Sequence, residues 1–145
     1  MEFIPIEPTG DFKDILSSAF NFPLKLKSVN NAGDYEKENI VFEATEDIDS
    51  LYDFILFFSV DDAETGLPYY DKCRLLTFDE IELQKGDLLQ IFTRKGNDKT
   101  TMDTDANAFC NVVYWGLTEP IWHTPNSSFE IMRRGDSYSA DHLSD

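Results

Sequence analysis

The sequence has few of the residues from which catalytic and metal sites are most often built. It contains two cysteines and two histidines in 145 residues, too few for a disulfide scaffold or a histidine-rich metal site. Its seven glycines are scattered, so there is no glycine-rich phosphate loop, and no Gly-x-Ser-x-Gly nucleophile turn occurs. These absences predict a protein that is not an enzyme and uses no cofactor.

Basic residues are also scarce, with 12 Lys and Arg against 28 Asp and Glu, for a net charge of −16. Nucleic acids and anionic membranes are bound through basic side chains, so we expect direct contact with neither. Four interpretations of the charge remain: a solvated acidic surface, a cation site, a basic protein partner, and mimicry of a nucleic acid.

Long apolar runs are absent, because the longest, Phe54 to Phe58, is too short to cross a bilayer. The first residues lack the basic start and apolar stretch of a signal peptide. We therefore expect a protein of the cytoplasm or of an assembled particle such as a virion. Cys73 and Cys110 lie in apolar runs and are predicted to be buried thiols, with a disulfide between them left open.

What is present predicts one folded domain over residues 1–145. Hydrophobic residues make up 41 % of the chain and aromatics 14 %, enough to build a core despite the charge. Asp11 has the position of a helix N-cap, and apolar residues from Phe12 to Phe20 follow helical spacing. In chain order we predict an extended arm, a helix, a β-sandwich and a polar tail, at residues 1–10, 11–21, 22–134 and 135–145.

From Leu24 onward the apolar period changes from that of a helix to that of a strand. Residues 46–60 fit either a helix or a strand, and we favour a strand from Tyr52 to Val60 buried on both faces. Residues 95–108 are predicted to be a long polar loop. Further strands are predicted at 24–26, 40–44, 73–78, 88–93, 111–116 and 129–132, with a short alternating piece at 81–83, which indicates a β-sandwich or barrel.

One short acidic stretch has part of a calcium-binding pattern. Asp103, Asp105 and Asn107 offer the alternating oxygen ligands that open an EF-hand loop. Ala108 then replaces the required glycine, and Tyr114 replaces the required glutamate. We therefore predict a solvated polar loop, with a loose calcium site as the alternative.

Two further groups are candidates for contact with a partner. Eleven Asp or Glu and only one Lys lie between Asp34 and Glu64, and a face of such charge attracts basic surfaces. Two tryptophans also lie close together, and an exposed Trp is a frequent binding anchor, although a buried one is ordinary in a sandwich core. The predicted partner-binding residues are Glu43, Glu46, Asp47, Asp49, Asp61, Asp62, Glu64, Tyr114, Trp115 and Trp122.

The stretch from Leu83 to Thr93, which contains Lys85-Gly86-Asp87, is followed by Val113-Tyr114-Trp115-Gly116, Ile121-Trp122 and the final strand from Phe129 to Met132. In this order the residues resemble a lamin-tail-like domain over about residues 40–132. Here Arg94-Lys95-Gly96 replaces the glycine that the pattern has after Thr93. The resemblance implies an immunoglobulin-like β-sandwich that serves in attachment, without a shared catalytic residue.

Three functional hypotheses follow. The first is a non-enzymatic structural or interaction module, such as an assembly or decoration component of a larger particle like a phage virion. Under this hypothesis the chain could also form a homo-oligomer. The second is an acidic inhibitor that mimics nucleic acid in the groove of a basic protein. The third is a calcium-dependent binding module or a small hydrolase that uses the loop at 95–108.

Overall fold

The structure, a computed structural model, describes residues 22–134, so the arm, helix and tail predicted at 1–10, 11–21 and 135–145 lie outside the described residues. The described part contains two 3-10 turns, Leu51–Asp53 and Tyr70–Lys72, and no helix in it is long and apolar enough to cross a membrane. Its strands are β1 Leu24–Asn30, β2 Asn39–Ala44, β3 Phe54–Val60, β4 Arg74–Thr77, β5 Leu88–Phe92, β6 Lys99–Asp103, β7 Ala108–Tyr114 and β8 Ser127–Arg133.

These strands form two sheets that pack as a sandwich. The larger sheet has the order β1-β2-β5-β7-β6, and the smaller has the order β4-β3-β8. Neighbouring strands are antiparallel except for β5 and β7, which are parallel. The predicted class, mainly β with a sandwich of two sheets, is therefore confirmed.

The core lies between the sheets and follows from the alternation of apolar residues along each strand. Phe42 of β2 and Phe129 of β8 meet edge to face across the gap, with ring centroids 6.2 Å apart. The buried apolar side chains of the central strands are Ile40, Phe42 and Ala44 of β2, Phe54, Leu56, Phe58 and Val60 of β3, and Leu89 and Ile91 of β5.

The strand predicted from Tyr52 to Val60 exists but begins later, at Phe54. The three residues before it form a 3-10 turn that the Ser50 hydroxyl caps by accepting from the Tyr52 N–H at 3.1 Å. Burial alternates along β3, so the expectation of burial on both faces was wrong. Only its inner side chains are buried, because the outer face of the smaller sheet has no described layer above it.

The prediction of a long polar loop at 95–108 was also wrong, because Lys99–Asp103 forms β6 at the edge of the larger sheet. Its first four residues are exposed, so no apolar alternation marks the strand. Backbone pairing with β7, from Lys99 opposite Val112 to Asp103 opposite Ala108, holds β6 in place instead.

Most other strands lie where the period of two predicts them, with shifted ends. The short alternating piece at 81–83 forms no strand, and Leu83 makes an isolated bridge with Ile48. The larger sheet is wider than the smaller one, and apolar side chains at its two margins remain exposed on the inner side. They are Leu26 and Val29 at one margin and Met102 and Phe109 at the other.

Candidate functional site

The loop between β7 and β8 carries both tryptophans and places them against the core. The Trp122 ring meets Phe58 and Phe129 edge to face, with centroids 5.4 Å apart in each pair. The Trp115 indole Nε1–H donates to the Leu75 carbonyl oxygen at 3.2 Å, which covers part of the β4 edge. Both indoles are half-buried, and their contact with a partner stays a prediction.

A buried glutamate, Glu38, holds this loop in place. Its carboxylate is fully buried and accepts from the backbone N–H of Ile121 at 2.8 Å and of Trp122 at 3.3 Å. It also accepts from the N–H of Gly33 at 2.9 Å and the hydroxyl of Thr93 at 2.5 Å. Donors from three segments replace the water that the carboxylate loses on burial. One side chain therefore joins the β1–β2 turn, the end of β5 and the tryptophan loop.

Tyr114 lies on the outer face of the larger sheet. Its ring stacks on Phe92 with centroids 5.2 Å apart, and the Arg94 guanidinium lies 5.0 Å from the Tyr114 centroid. A Cβ at Gly96 would come within 2.5 Å of the Tyr114 ring, so glycine is required there. Tyr114 is half-buried by these contacts, and its predicted contact with a partner is untested.

Six of the predicted acidic residues in the Asp34–Glu64 segment fall into two groups along the chain. The two groups stand at opposite ends of β3, a strand of 7 residues and therefore roughly 20 Å long. Glu43 lies apart from both groups, on β2, where it forms an ion pair with Lys27 at 3.3 Å. The group before β3 comprises Glu46, Asp47 and Asp49, and the group after it comprises Asp61, Asp62 and Glu64.

The group before β3 lines a recess of about 240 Å³, to which Asp53 and Arg133 also contribute. The Arg133 guanidinium lies 5.4 Å from the centroid of the Phe54 ring, so a cation already occupies this rim. Within residues 22–134 no group of three or more His, Cys, Asp or Glu side chains is arranged to hold a metal ion.

The calcium candidates form the turn between β6 and β7. The Asp103 carboxylate accepts from the N–H of Asp105 at 3.1 Å and of Ala106 at 3.3 Å. Asn107 has a φ of 54°, a left-handed conformation that asparagine tolerates better than most residues. The Asp103 carboxylate therefore takes part in forming the turn, and a calcium ion at these residues stays the untested alternative.

Similarity to other proteins does not assign a function to this arrangement. The chain matches no protein-family model, no curated protein and no solved structure. A β-sandwich hosts many unrelated functions, so function must be argued from the chemistry of particular surfaces. Two surfaces of the smaller sheet have the required features.

The first surface is the outer side of the smaller sheet, where Ile55, Phe57, Leu75 and Met132 form what we name the apolar face. Ile55 lies opposite Met132, and Phe57 lies opposite Leu75, so the four side chains are neighbours on one side. Leu75 is 57 % exposed and Met132 is 42 % exposed. A recess of about 110 Å³ opens beside Phe57. The outer face of such a sheet is ordinarily polar, which makes this face a candidate for contact.

The second surface is the β3–β4 loop, residues 61–73. Leu67 is 66 % exposed and Tyr70 is 86 % exposed. The loop is nevertheless ordered, because the Asp62 carboxylate accepts from the N–H of Glu64 at 2.7 Å and of Thr65 at 3.3 Å. Exposed apolar side chains on an ordered loop are typical of binding anchors.

The ionisation of this loop reflects the same contacts. Hydrogen bonds from the backbone of Glu64 and Thr65, and from the Tyr69 hydroxyl, hold the pKa of Asp62 below that of a free aspartate. The negative charge of Asp62 raises the pKa of Tyr69, and burial and the hydrogen bond between the two add to that effect. Asp62 is therefore charged and Tyr69 neutral at neutral pH.

Cys73 and Cys110 are both free thiols. They are half-buried rather than buried; Cys73 follows the 3-10 turn just before β4, and Cys110 lies on β7. Burial, and then the charge of Asp103, raises the pKa of Cys110. Cys110 is thus mostly protonated at neutral pH and is not an activated nucleophile.

Glu38, Leu75, Leu67 and Tyr70 were not predicted as site residues from the sequence. The Leu75-Leu76 pair in a predicted strand was a usable signal, because alternation sends one of two adjacent leucines outward. Leu67 and Tyr70 lie between the strands predicted at 52–60 and 73–78, in a connection where apolar residues can stay uncovered. No local signal marks Glu38, because its donors are distant in the chain.

Proposed function

We propose that this chain is a non-enzymatic, immunoglobulin-like β-sandwich that binds another protein through the apolar face. The observation that carries the proposal is the exposure of Leu75 and Met132 beside Ile55 and Phe57 on the outside of the smaller sheet. Burying such side chains against a partner removes apolar surface from water, which is the main driving force of protein association.

The order of the strands supports the immunoglobulin-like assignment. In that fold strands A, B and E share one sheet while C and F share the other. Here β1, β2 and β5 take the places of A, B and E, and β3 and β8 take those of C and F. The β6–β7 hairpin is then an insertion between E and F, and β4 is an added strand beside C. The resemblance to lamin-tail-like domains is proposed at this level.

The charge of the chain favours a partner other than a second copy. With a net charge of −16, two copies repel each other at low ionic strength. Glu130 lies opposite Phe57 at the border of the apolar face, so two such faces would bring like charges together. A different protein, with basic residues around an apolar contact, is the better match.

The partner could belong to a larger assembly, such as a phage virion. The acidic composition and the predicted arm and tail favour this form of the proposal. The nucleic-acid-mimic hypothesis needs one continuous acidic surface, and the separation of the acidic groups along β3 makes it the weaker candidate. A calcium-dependent role is weaker, because no group of three or more His, Cys, Asp or Glu among residues 22–134 is arranged to hold a metal ion.

The test is affinity capture from the native source with three purified baits. The first bait is the wild type, and the second carries Leu75→Ser and Met132→Ser. The third is a matched control with Leu26→Ser and Met102→Ser, which removes the same two residue types from exposed positions elsewhere (43 % and 48 % exposed).

Quantitative mass spectrometry should find a protein that the wild type and the control retain and the apolar-face variant loses. The captured protein is then purified, and its affinity for each bait is measured. Truncation of central interface residues should weaken binding roughly tenfold or more. Equal retention by all three baits would refute the proposal.

A further inference from the structure

The β3–β4 loop combines uncovered apolar side chains with unpaired negative charge. Residues 61–73 contain four carboxylates and one lysine. Within the described part of the chain, the carboxylates of Glu64 and Asp71 have no ion-pair partner. The exposed Leu67 and Tyr70 lie in the same short stretch, so apolar and acidic groups occupy one end of the molecule.

The loop is held in one conformation by its own hydrogen bonds. The N–H of Asp62 donates to the Leu67 carbonyl at 2.8 Å, and the N–H of Gly66 donates to the Asp62 carbonyl at 2.8 Å. At the base, the N–H of Tyr69 donates to the Val60 carbonyl at 2.8 Å. A loop already ordered before contact loses little conformational entropy when it binds.

The only cation of the loop is already engaged. The Lys72 amino group lies 4.7 Å from the centroid of the Tyr69 ring. The Arg74 guanidinium, which follows the loop, donates to the Asp71 carbonyl oxygen at 2.9 Å and to the Cys73 carbonyl oxygen at 2.9 Å. Neither cation forms an ion pair with the carboxylates of the loop, so these negative charges can attract a basic partner.

We propose that the β3–β4 loop selects the partner by accepting a basic, amphipathic protein segment, in which apolar residues contact Leu67 and Tyr70 and Lys or Arg residues contact the carboxylates. This inference rests on the proposed function, because Leu75 of the apolar face follows the loop on β4. The loop adds partner selection to the non-specific apolar contact, since the apolar face alone would accept any apolar surface. Like-charged and uncharged segments are disfavoured because the carboxylates would lose water without gaining an ion pair.

The probes are three short synthetic peptides with a fluorescent label. The first alternates Leu or Trp with Lys or Arg, the second has Gln in place of each basic residue, and the third has Ser in place of each apolar residue. Affinity for the wild-type protein is measured by fluorescence anisotropy at low and high salt. The first peptide should bind roughly tenfold or more tightly than either of the others, and salt should weaken its binding.

Variants locate the contact. Tyr70→Ala and Leu67→Ser should each weaken binding of the first peptide several-fold, whereas Leu26→Ser combined with Met102→Ser should leave it unchanged. Circular dichroism checks that each variant is folded, which is expected because Tyr70 is 86 % exposed.

The outcomes separate this inference from the proposed function. Suppose that Leu75→Ser with Met132→Ser weakens binding of the native partner and Tyr70→Ala does not. Partner selection by the loop is then wrong, and the proposed role of the apolar face stands. If the first peptide binds no better than its two relatives, or binds not at all, the loop inference is overturned. Retention of the native partner by the Tyr70→Ala bait at wild-type affinity would overturn it equally.

Discussion

The tryptophan loop between β7 and β8 and the β3–β4 loop are both organised by a carboxylate, with opposite results for their aromatic residues. Glu38 reaches the tryptophan loop from a segment 83 residues earlier in the chain and binds the N–H of Ile121. Asp62 belongs to its own loop and binds the N–H groups two and three residues ahead. The first loop is drawn onto the core, whereas the second is ordered without being covered.

The difference teaches that an ordered loop and a buried loop are distinct outcomes. A long-range carboxylate fixes where a loop lies, so its aromatic residues become part of the packing. A local carboxylate fixes only the shape of the loop, so Tyr70 stays 86 % exposed and remains free to contact a partner. Exposure rather than aromatic type therefore marks the candidate interface.

The largest expected effect comes from removing the long-range carboxylate. Glu38→Ala leaves buried N–H groups without acceptors, and the free energy of unfolding should fall by about 3 kcal/mol or more. Urea unfolding followed by tryptophan fluorescence measures this loss. Glu119→Ala, at an exposed position of the same loop, should change stability by less than about 0.5 kcal/mol. Equal stability of the two variants would remove the proposed role of Glu38.

The aromatic residues of the two loops should differ almost as strongly. Trp122→Ala removes a ring packed on Phe58 and Phe129 and should cost about 3 kcal/mol of stability. Tyr70→Ala should cost less than about 0.5 kcal/mol. Thermal and urea unfolding of the two variants in parallel give the comparison. A stability loss for Tyr70→Ala as large as that for Trp122→Ala would contradict the contrast.

The local carboxylate should act only on its own loop. In Asp62→Ala the amide protons of Glu64 and Thr65 lose their acceptor, and their hydrogen exchange should become roughly tenfold faster. Exchange at Ile121 should stay unchanged, because that N–H is bound by Glu38. Asp62→Asn keeps an acceptor oxygen and serves as the control with an intermediate effect. Faster exchange throughout the chain would show that Asp62 stabilises the whole fold instead.

The pH dependence of the loop follows from the lowered pKa of Asp62. Because the pKa in the folded state lies below the unfolded value, the stabilising contribution is complete above the unfolded pKa. It is lost as the pH falls through the folded pKa. The backbone NMR chemical shifts of Glu64 and Thr65, recorded from neutral to acid pH, should change only in that acidic range. A transition near neutral pH would assign the ordering to another group.

The smallest expected effect is on the hydroxyl of Tyr69. The charge of Asp62 is the main cause of its raised pKa, so Asp62→Asn should lower the pKa of Tyr69 toward that of a free tyrosine. An ultraviolet titration at alkaline pH, compared with that of a Tyr69→Phe variant, isolates this group. An unchanged pKa in Asp62→Asn would mean that the two side chains are farther apart in solution.

Sequence patterns predicted the central strands well. Residues such as Phe54, Leu56 and Phe58 alternate with less buried residues along the strand, because every second side chain points into the core. The patterns failed for β6, whose residues are exposed and whose position depends on a neighbouring strand. Partner contact at Trp115 and Trp122 stays a prediction, because it rests on residue type. Residue type does not reveal whether a distant carboxylate will fold a loop inward.

The sequence by itself determined a strongly acidic β protein with a core of alternating apolar residues, because charge and period are properties of the chain that folding does not change. Tertiary structure decided which acidic residues stand together, which edge received β6, and which aromatic residues remained in water. Those outcomes depend on contacts between segments far apart in sequence, such as Glu38 with Ile121, and no local pattern encodes them.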